Sequence, residues 1–364
     1  MLKQHDLYIL QKRDANIDNF SRNGNYYIIL NNASLFITLQ TGRNTSQGAK
    51  HSWPTDTMNI ITDIDNHTAT PCVATIGSFD GVHKGHLALL EELRAKAREN
   101  ALPMTVITFA KHPRTLINKE REPFLLSSNS EKTALLEEAG VDNLIQLNFD
   151  CSLAAMSAKE FMQTILAGKL NVKVLAVGYD HHFGRPVQGE GIADYVTYGK
   201  DLGIEVFQAS QFVIDNEKVS SSAVRRALTA GNMKQVQNIL GRAYSFNGTV
   251  VTGAGIGRKL GFPTANIELE ESMKMLPADG VYEVAITMTG AHYKGVMNIG
   301  IKPTIAKNLK RTTEVHILDF NGDIYGENAR IEIQRRLRGE MSFENLDALK
   351  AQIEADITRV KTGK

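Results

Sequence analysis

Cysteine is nearly missing from this chain of 364 residues: Cys72 and Cys151 are the only two. Two thiols build neither a disulfide framework nor a four-cysteine zinc site, and they fit a reducing, cytoplasmic setting. Charge of one sign is missing as well. Forty-one basic residues face forty acidic ones, a net charge of +1, so no global field draws the protein to nucleic acid or to a membrane surface, and any anion site must be local. No run approaches the roughly 20 apolar residues of a membrane span. With 42% hydrophobic and 22% charged residues, the composition is that of a globular protein. The length suits two domains, since single cores stop growing near roughly 250–300 residues.

Residues 1–57 stand apart. They are rich in Asn, Ser, Thr and Gln, with one apolar patch at 26–39 broken by Asn31-Asn32. The order of a signal peptide, basic then apolar then small, is not there. The reading preferred here is a non-native or disordered extension, with Met58 as the natural start, because regular patterning begins just after it. An extra β-rich module is the alternative.

From 72 to about 209, strand-like runs at 72–76, 105–109, 144–147, 172–177 and 204–207 alternate with helical patterns. One such pattern, 85–99, repeats Leu87, Leu90, Leu93 and Ala97 at helical spacing. The alternation predicts an α/β domain with a doubly wound, Rossmann-like parallel sheet, whose ligands bind beyond the carboxyl ends of the strands. Helices follow at 221–230 and 233–240. Then the pattern changes. Short alternating runs at 247–252, 281–288, 293–299, 313–320 and 329–334, punctuated by Gly and Asn, predict an antiparallel β-barrel. A last helix at 344–360 carries an apolar stripe of Leu346, Leu349, Ile353, Ile357 and Val360, expected to pack on the barrel. The domains are set at 58–240 and 241–364.

Two segments carry chemistry. The first runs from Gly77 through Ser78, Phe79, Asp80, Gly81, Val82, His83, Lys84 and Gly85 to His86. It leaves the first strand, turns through glycines and starts a helix, where free N–H groups and the dipole favour phosphate. His83 and His86, three apart, share a helical face and can reach one polyphosphate. The second is a glycine run, Gly253, Gly255, Gly257 and Gly261. It has no Gly-Lys-Ser/Thr ending and lies between strands, so it is no P-loop. Behind it stands Pro263-Thr264-Ala265-Asn266, whose neutral oxygens at Thr264 and Asn266 suit Mg²⁺. Glu314 shares a strand face with His316, Leu318 and Phe320 by period two. A carboxylate in such surroundings suits a general base.

The His-x-Gly-His segment resembles the nucleotidyltransferase signature, and the whole of 58–364 resembles the bacterial bifunctional riboflavin kinase/FAD synthetases. Ser220-Ser221-Ser222 with Arg225 resembles that family's second nucleotide motif, Phe109 to Arg114 its His-Pro-Arg turn, and Pro263 to Asn266 its kinase signature. The resemblance implies phosphorylation of riboflavin by ATP to FMN, then adenylation of FMN by ATP to FAD with release of pyrophosphate. It implies catalytic roles for His83, His86 and Glu314, with Glu314 taking the proton of the ribityl 5′-hydroxyl. ATP and its phosphates fall to Gly77, Phe79, Asp80, Gly81, Ser221, Ser222, Arg225, Gly255, Gly257, Thr264 and Asn266. Mg²⁺ falls to Thr264 and Asn266, and flavin to Asp180. Where relatives carry Arg, this chain has His182, and the stretch 185–188 also departs from their pattern. A monomer or weak homo-oligomer is expected. Two other readings stay open: an adenylyltransferase for another small molecule, and a flavin-binding regulator with inactive sites.

Overall fold

The computed structural model describes residues 18–22, 25–29, 57–112, 124–179, 181–185, 187–215, 217–253, 255–301 and 311–363. Met1–Thr55 and Asp56–Lys364 are separate compact units. The first contains an antiparallel hairpin of β1 (Asp18–Arg22) and β2 (Asn25–Ile29), with Phe20 opposite Tyr27.

In the second unit, six strands form a parallel sheet. They are β3 (Asn59–Ile61), β4 (Cys72–Ile76), β5 (Met104–Phe109), β6 (Asn143–Leu147), β7 (Val172–Val177) and β8 (Glu205–Gln208), in the order β3-β6-β5-β4-β7-β8. Every residue of β4 is buried, as expected of a strand covered on both faces. Helix α1 (Lys84–Asn100) buries Leu89, Leu90, Leu93 and Ala97 against the sheet. Helix α2 (Asn129–Glu138) begins with a capping box, in which the Ser128 hydroxyl accepts from Glu131 N and the Glu131 carboxylate from Ser128 N. The other face is covered by α3 (Cys151–Ala155), α4 (Ala158–Phe161) with a π-helical continuation at Met162–Lys169, and α5 (Ile192–Leu202). The chain leaves β4 for β5 and β6 on one side, then returns to place β7 and β8 on the other. The crevice between the ends of β4 and β7 is therefore the topological switch point.

After the two-residue strands β9 (Val213–Ile214) and β10 (Glu217–Lys218) come α6 (Ser221–Thr229) and α7 (Met233–Leu240). Beyond them β11 (Tyr244–Val251), β12 (Ala265–Leu269), β13 (Gly280–Met288), β14 (Ala291–Ile301), β15 (Arg311–Ile317) and β16 (Asn328–Arg338) close a barrel in the order β11-β12-β15-β14-β13-β16. Burial alternates strictly along β11, so Tyr244, Phe246 and Val250 fill the interior with Ile286, Ile331 and Ile333. Val224, Leu228, Val236 and Leu240 of α6 and α7 join the same core. Packing is thus continuous across residue 240. Two expectations fail in detail. Strand β15 ends at Ile317, so Leu318 and Phe320 do not extend the Glu314 face. In the last helix, α9 (Leu346–Thr362), the stripe is unevenly covered: Leu346 is 63% exposed, Leu349, Ile353 and Ile357 are half-buried, and Val360 packs against Val281, Leu318 and Leu337. The helix is also held by Asp356, buried and bonded to Arg338 at 2.9 Å. A five-residue helical turn, α8 (Ile256–Leu260), stands in the glycine run, where only a strand connection was expected.

Sheet and barrel meet through the segment that precedes α2. Phe124 and Leu125 each donate N–H to Met273 O at 2.9 Å, and Met275 N donates back to Leu125 O at 2.8 Å. Lys274, 3% exposed, pairs with the Glu131 carboxylate, donates to Leu126 O at 2.8 Å and lies over the Tyr244 ring. The other Glu131 oxygen accepts from Asn247 N at 3.2 Å. One carboxylate thereby caps a helix of the sheet domain and pins a strand of the barrel. Because removing one partner strands a buried charge, Lys274→Met is expected to cost about 3–5 kcal/mol. Urea unfolding checks this, and a loss below about 1 kcal/mol would show that the pair holds nothing together.

Candidate functional site

Two cavities open at the ends of the parallel strands. The first, about 210 Å³, is lined by Gly77, Phe79, His83, His86, His181 and Ser220, among others. Its floor is the tight turn between β4 and α1. Phe79 and Val82 adopt φ of 49° and 37°, strained for residues with a β-carbon. That strain is held by the buried packing of both side chains. His83 is the N-cap of α1, and its Nδ1 accepts from His86 N at 3.2 Å. An accepting Nδ1 places the proton of the neutral ring on Nε2, which leaves an N–H donor for a ligand. The His83 and His86 rings stack at 3.6 Å, and Phe79 lies against His86 at 4.9 Å. Burial pushes His83 and His181 down to about 4 and His86 well below the usual histidine range. All three rings are therefore neutral at pH 7.

Asp80, Gly81, Ser221, Ser222 and Arg225, expected at the same phosphates, do not line this cavity. Asp80 is 3% exposed. Its Oδ1 accepts from Leu126 N at 2.9 Å and Ser127 N at 3.1 Å, and its Oδ2 pairs with Arg225. Burial raises its carboxyl pKa, opposed mainly by the Arg225 charge. Arg225 also donates to Phe124 O at 2.8 Å, and the Ser221 hydroxyl donates to Asp80 O at 2.9 Å. Gly81 N donates to Ser127 Oγ at 3.0 Å. These residues brace the turn from behind. Sequence reasoning also missed Arg242, which donates to Gly81 O at 2.6 Å and Val82 O at 2.9 Å from the barrel side. Only a long-range contact reveals that role.

The second cavity, about 240 Å³, shares Ser78 with the first and is lined by Phe109, Lys111, His112, Asn129 and Lys132. Lys132 donates to Phe109 O at 2.9 Å, and burial brings its ammonium down to about 8. Asp180 and Arg114 lie outside the described residues.

In the barrel, β12 pairs with β15 so that Asn266 faces Glu314, and Asn298 of β14 flanks Glu314 on the other side. Thr264 Oγ1 donates to Glu314 Oε2 at 3.2 Å. Glu314 is half-buried on the outer wall. Gly253, read in the sequence only as part of the glycine run, has a specific neighbour. A Cβ there would overlap the Asn266 amide, and one at Gly257 would overlap Phe262 O and crowd Thr264 Oγ1. Gly255 starts α8 with φ of 66°. The glycine run is thus spaced to bring backbone against Thr264 and Asn266.

A cavity of neutral histidines at a helix start and, on a separate barrel, a carboxylate beside neutral oxygens are the chain's two candidate sites. Two family models match the chain: "FAD synthetase" matches residues 65–223 and "riboflavin kinase" matches 240–363. The bifunctional riboflavin kinase/FMN adenylyltransferase of Escherichia coli strain K12 is 38% identical over 303 residues, covering 82% of this chain and 96% of the relative. The enzyme of the same name from Pseudomonas fluorescens is 39% identical, covering 80% and 92%. A crystal structure of a macrolide-efflux protein from Streptococcus pneumoniae superposes with a TM-score of 0.74 at 30% identity, covering 84% of this chain and 98% of that one. The chain belongs to the bifunctional riboflavin kinase/FMN adenylyltransferase family.

Two outcomes follow from the geometry. Gly253→Ala is expected to displace the Asn266 amide and abolish the barrel's activity while the sheet's activity persists; equal kcat/KM for both reactions would refute the cradle. The neutral histidines give a pH signature. Their folded pKa lies below the unfolded value of about 6.5, so their contribution is complete above pH 6.5 and is lost as pH falls towards 4. His83→Gln should flatten the decline of stability between pH 6.5 and 4 by on the order of 3 kcal/mol, read from urea midpoints across that range.

Proposed function

We propose that the chain converts riboflavin to FMN at the barrel (241–364) and FMN to FAD at the sheet (58–240), one ATP being used in each step. Riboflavin kinase and FMN adenylyltransferase are the activities of its family, and the observation that carries the kinase assignment is the meeting of Thr264, Asn266 and Glu314 across β12 and β15. Glu314 takes the proton of the ribityl 5′-hydroxyl as that oxygen bonds to the γ-phosphorus and the bond to ADP breaks. The Thr264 hydroxyl orients the carboxylate by donating to it at 3.2 Å. Thr264 and Asn266 offer neutral oxygens, and Gly253 and Gly257 leave space beside them, a donor set that fits Mg²⁺ brought in on ATP. Bound there, the ion would neutralise charge on the transferring phosphoryl group.

At the sheet, ATP occupies the cavity of His83 and His86, with the phosphates at the start of α1. FMN occupies the second cavity, where Lys111, His112 and Lys132 supply cations or donors for its phosphate. The shared Ser78 marks where the two meet. The FMN phosphate oxygen then bonds to the α-phosphorus as pyrophosphate leaves, and no covalent enzyme intermediate is needed. Flavin contact by Asp180 belongs to this reading. A net charge of +1 leaves no global field towards nucleic acid or a membrane surface, and a monomer or weak homo-oligomer belongs to this reading. Among the described residues no helix is long and apolar enough to cross a membrane. Two free cysteines suit the cytoplasm.

The test is separability. Glu314→Ala is expected to abolish formation of FMN from riboflavin while FMN supplied directly still becomes FAD. His83→Ala should do the reverse, losing about 10²–10³ in adenylation. Loss of both steps in either variant, with its fold intact by circular dichroism, would refute two independent sites.

A further inference from the structure

His181 has no part in the reaction as described so far. It lines the cavity of His83 and His86 but arrives from a different strand, in the turn after β7. Its backbone N–H donates to Gly178 O at 3.0 Å, which closes that turn. Its ring lies alongside Phe183 at 6.3 Å, and Phe183 stacks in turn on buried Tyr195 at 4.5 Å. The imidazole is thus backed by an aromatic column. Its Nε2 is buried and makes no hydrogen bond to any described residue, and the same holds for Nδ1 of His86. A buried polar atom left unpaired costs about 1–3 kcal/mol, and such atoms are rare enough to call for a specific reason. Here two stand in one cavity at the switch point of the sheet, where ligands bind.

We propose that His181 is a third phosphate-contacting imidazole of the adenylyl-transfer site, donating from Nε2 to the polyphosphate of ATP. The inference rests on the reading of this cavity as the ATP site. His83 and His86 reach the phosphates from α1, and His181 reaches them from the β7 side. As the FMN oxygen bonds to the α-phosphorus, the bond to the bridging oxygen breaks and its electron pair leaves with pyrophosphate. A donor on the pyrophosphate side stabilises that charge without giving up its proton.

Pyrophosphate itself is the probe, through the reverse reaction of FAD and inorganic pyrophosphate to FMN and ATP. His181→Phe keeps the ring stack and removes the donor. It is expected to lower kcat/KM for ATP about 10²-fold and to raise the KM for pyrophosphate. His181→Gln, whose amide nitrogen can stand near the Nε2 position, should restore most of both. Riboflavin phosphorylation by the same variants should not change, which reports an intact chain. Adenylation within twofold of wild type in His181→Phe would overturn the proposal, as would an unchanged KM for pyrophosphate. His86→Asn separates the two levels. If it abolishes adenylation while His181→Phe does not, only the role of His181 falls; if it too is fully active, the ATP reading of the cavity falls.

Discussion

The buried carboxylate of Asp80 is the constraint on which the rest depends. It sits in the turn that starts α1, yet its oxygens are taken by Leu126 N, Ser127 N and Arg225. A buried carboxylate is tolerable only when its lone pairs are met and its charge is paired. Meeting those demands draws three distant segments to one point: the turn itself, the segment before α2, and α6. The segment before α2 is then bonded to Met273 and Met275, so the turn that starts α1 is tied to the edge of the barrel. The strained φ values of Phe79 and Val82 are affordable in that setting because Arg242 and Ser127 hold the backbone between them.

This bracing explains why the chain's two sites share one compact unit without sharing residues. Glu131 and Lys274 fix the junction, and α6 and α7 extend the barrel's core beneath the sheet domain. The sites themselves stay at free ends, one at the switch point of a parallel sheet and one on the outer wall of a barrel. The first presents the imidazoles of His83, His86 and His181 in one cavity. The second presents a half-buried carboxylate that accepts from a threonine hydroxyl.

Much of this was legible in the sequence, for definite reasons. Five of the six sheet strands read as apolar runs to within a residue, and α1, α6 and α7 were bounded as closely, whereas the three-residue edge strand β3 and the helices α2 to α5 were not given. His83 and His86 stood out in the turn after a strand, Thr264 and Asn266 in a short motif and Glu314 by its alternation within a strand, and the structure brings the first two into one cavity and the last three together. Asp80 and Arg225 were assigned to phosphate by a motif, which names residues without saying where their side chains point; in the structure they pair with each other. Strand β12 was missed because Pro263 and a short pattern hide it, and the specific role of Gly253 because a glycine in a glycine run carries no label of the neighbour it makes room for. His181 stood at the ligand-facing end of a predicted strand, but only the meeting of two strand ends puts it in one cavity with His86.

The central claim is that one chain performs two phosphate transfers in series at separate sites. A time course with riboflavin, ATP and Mg²⁺, with flavins separated by chromatography, tests it most directly. The account predicts that FMN appears first and that FAD follows after a lag. FMN that accumulates without ever becoming FAD, or riboflavin that remains unchanged, would contradict it.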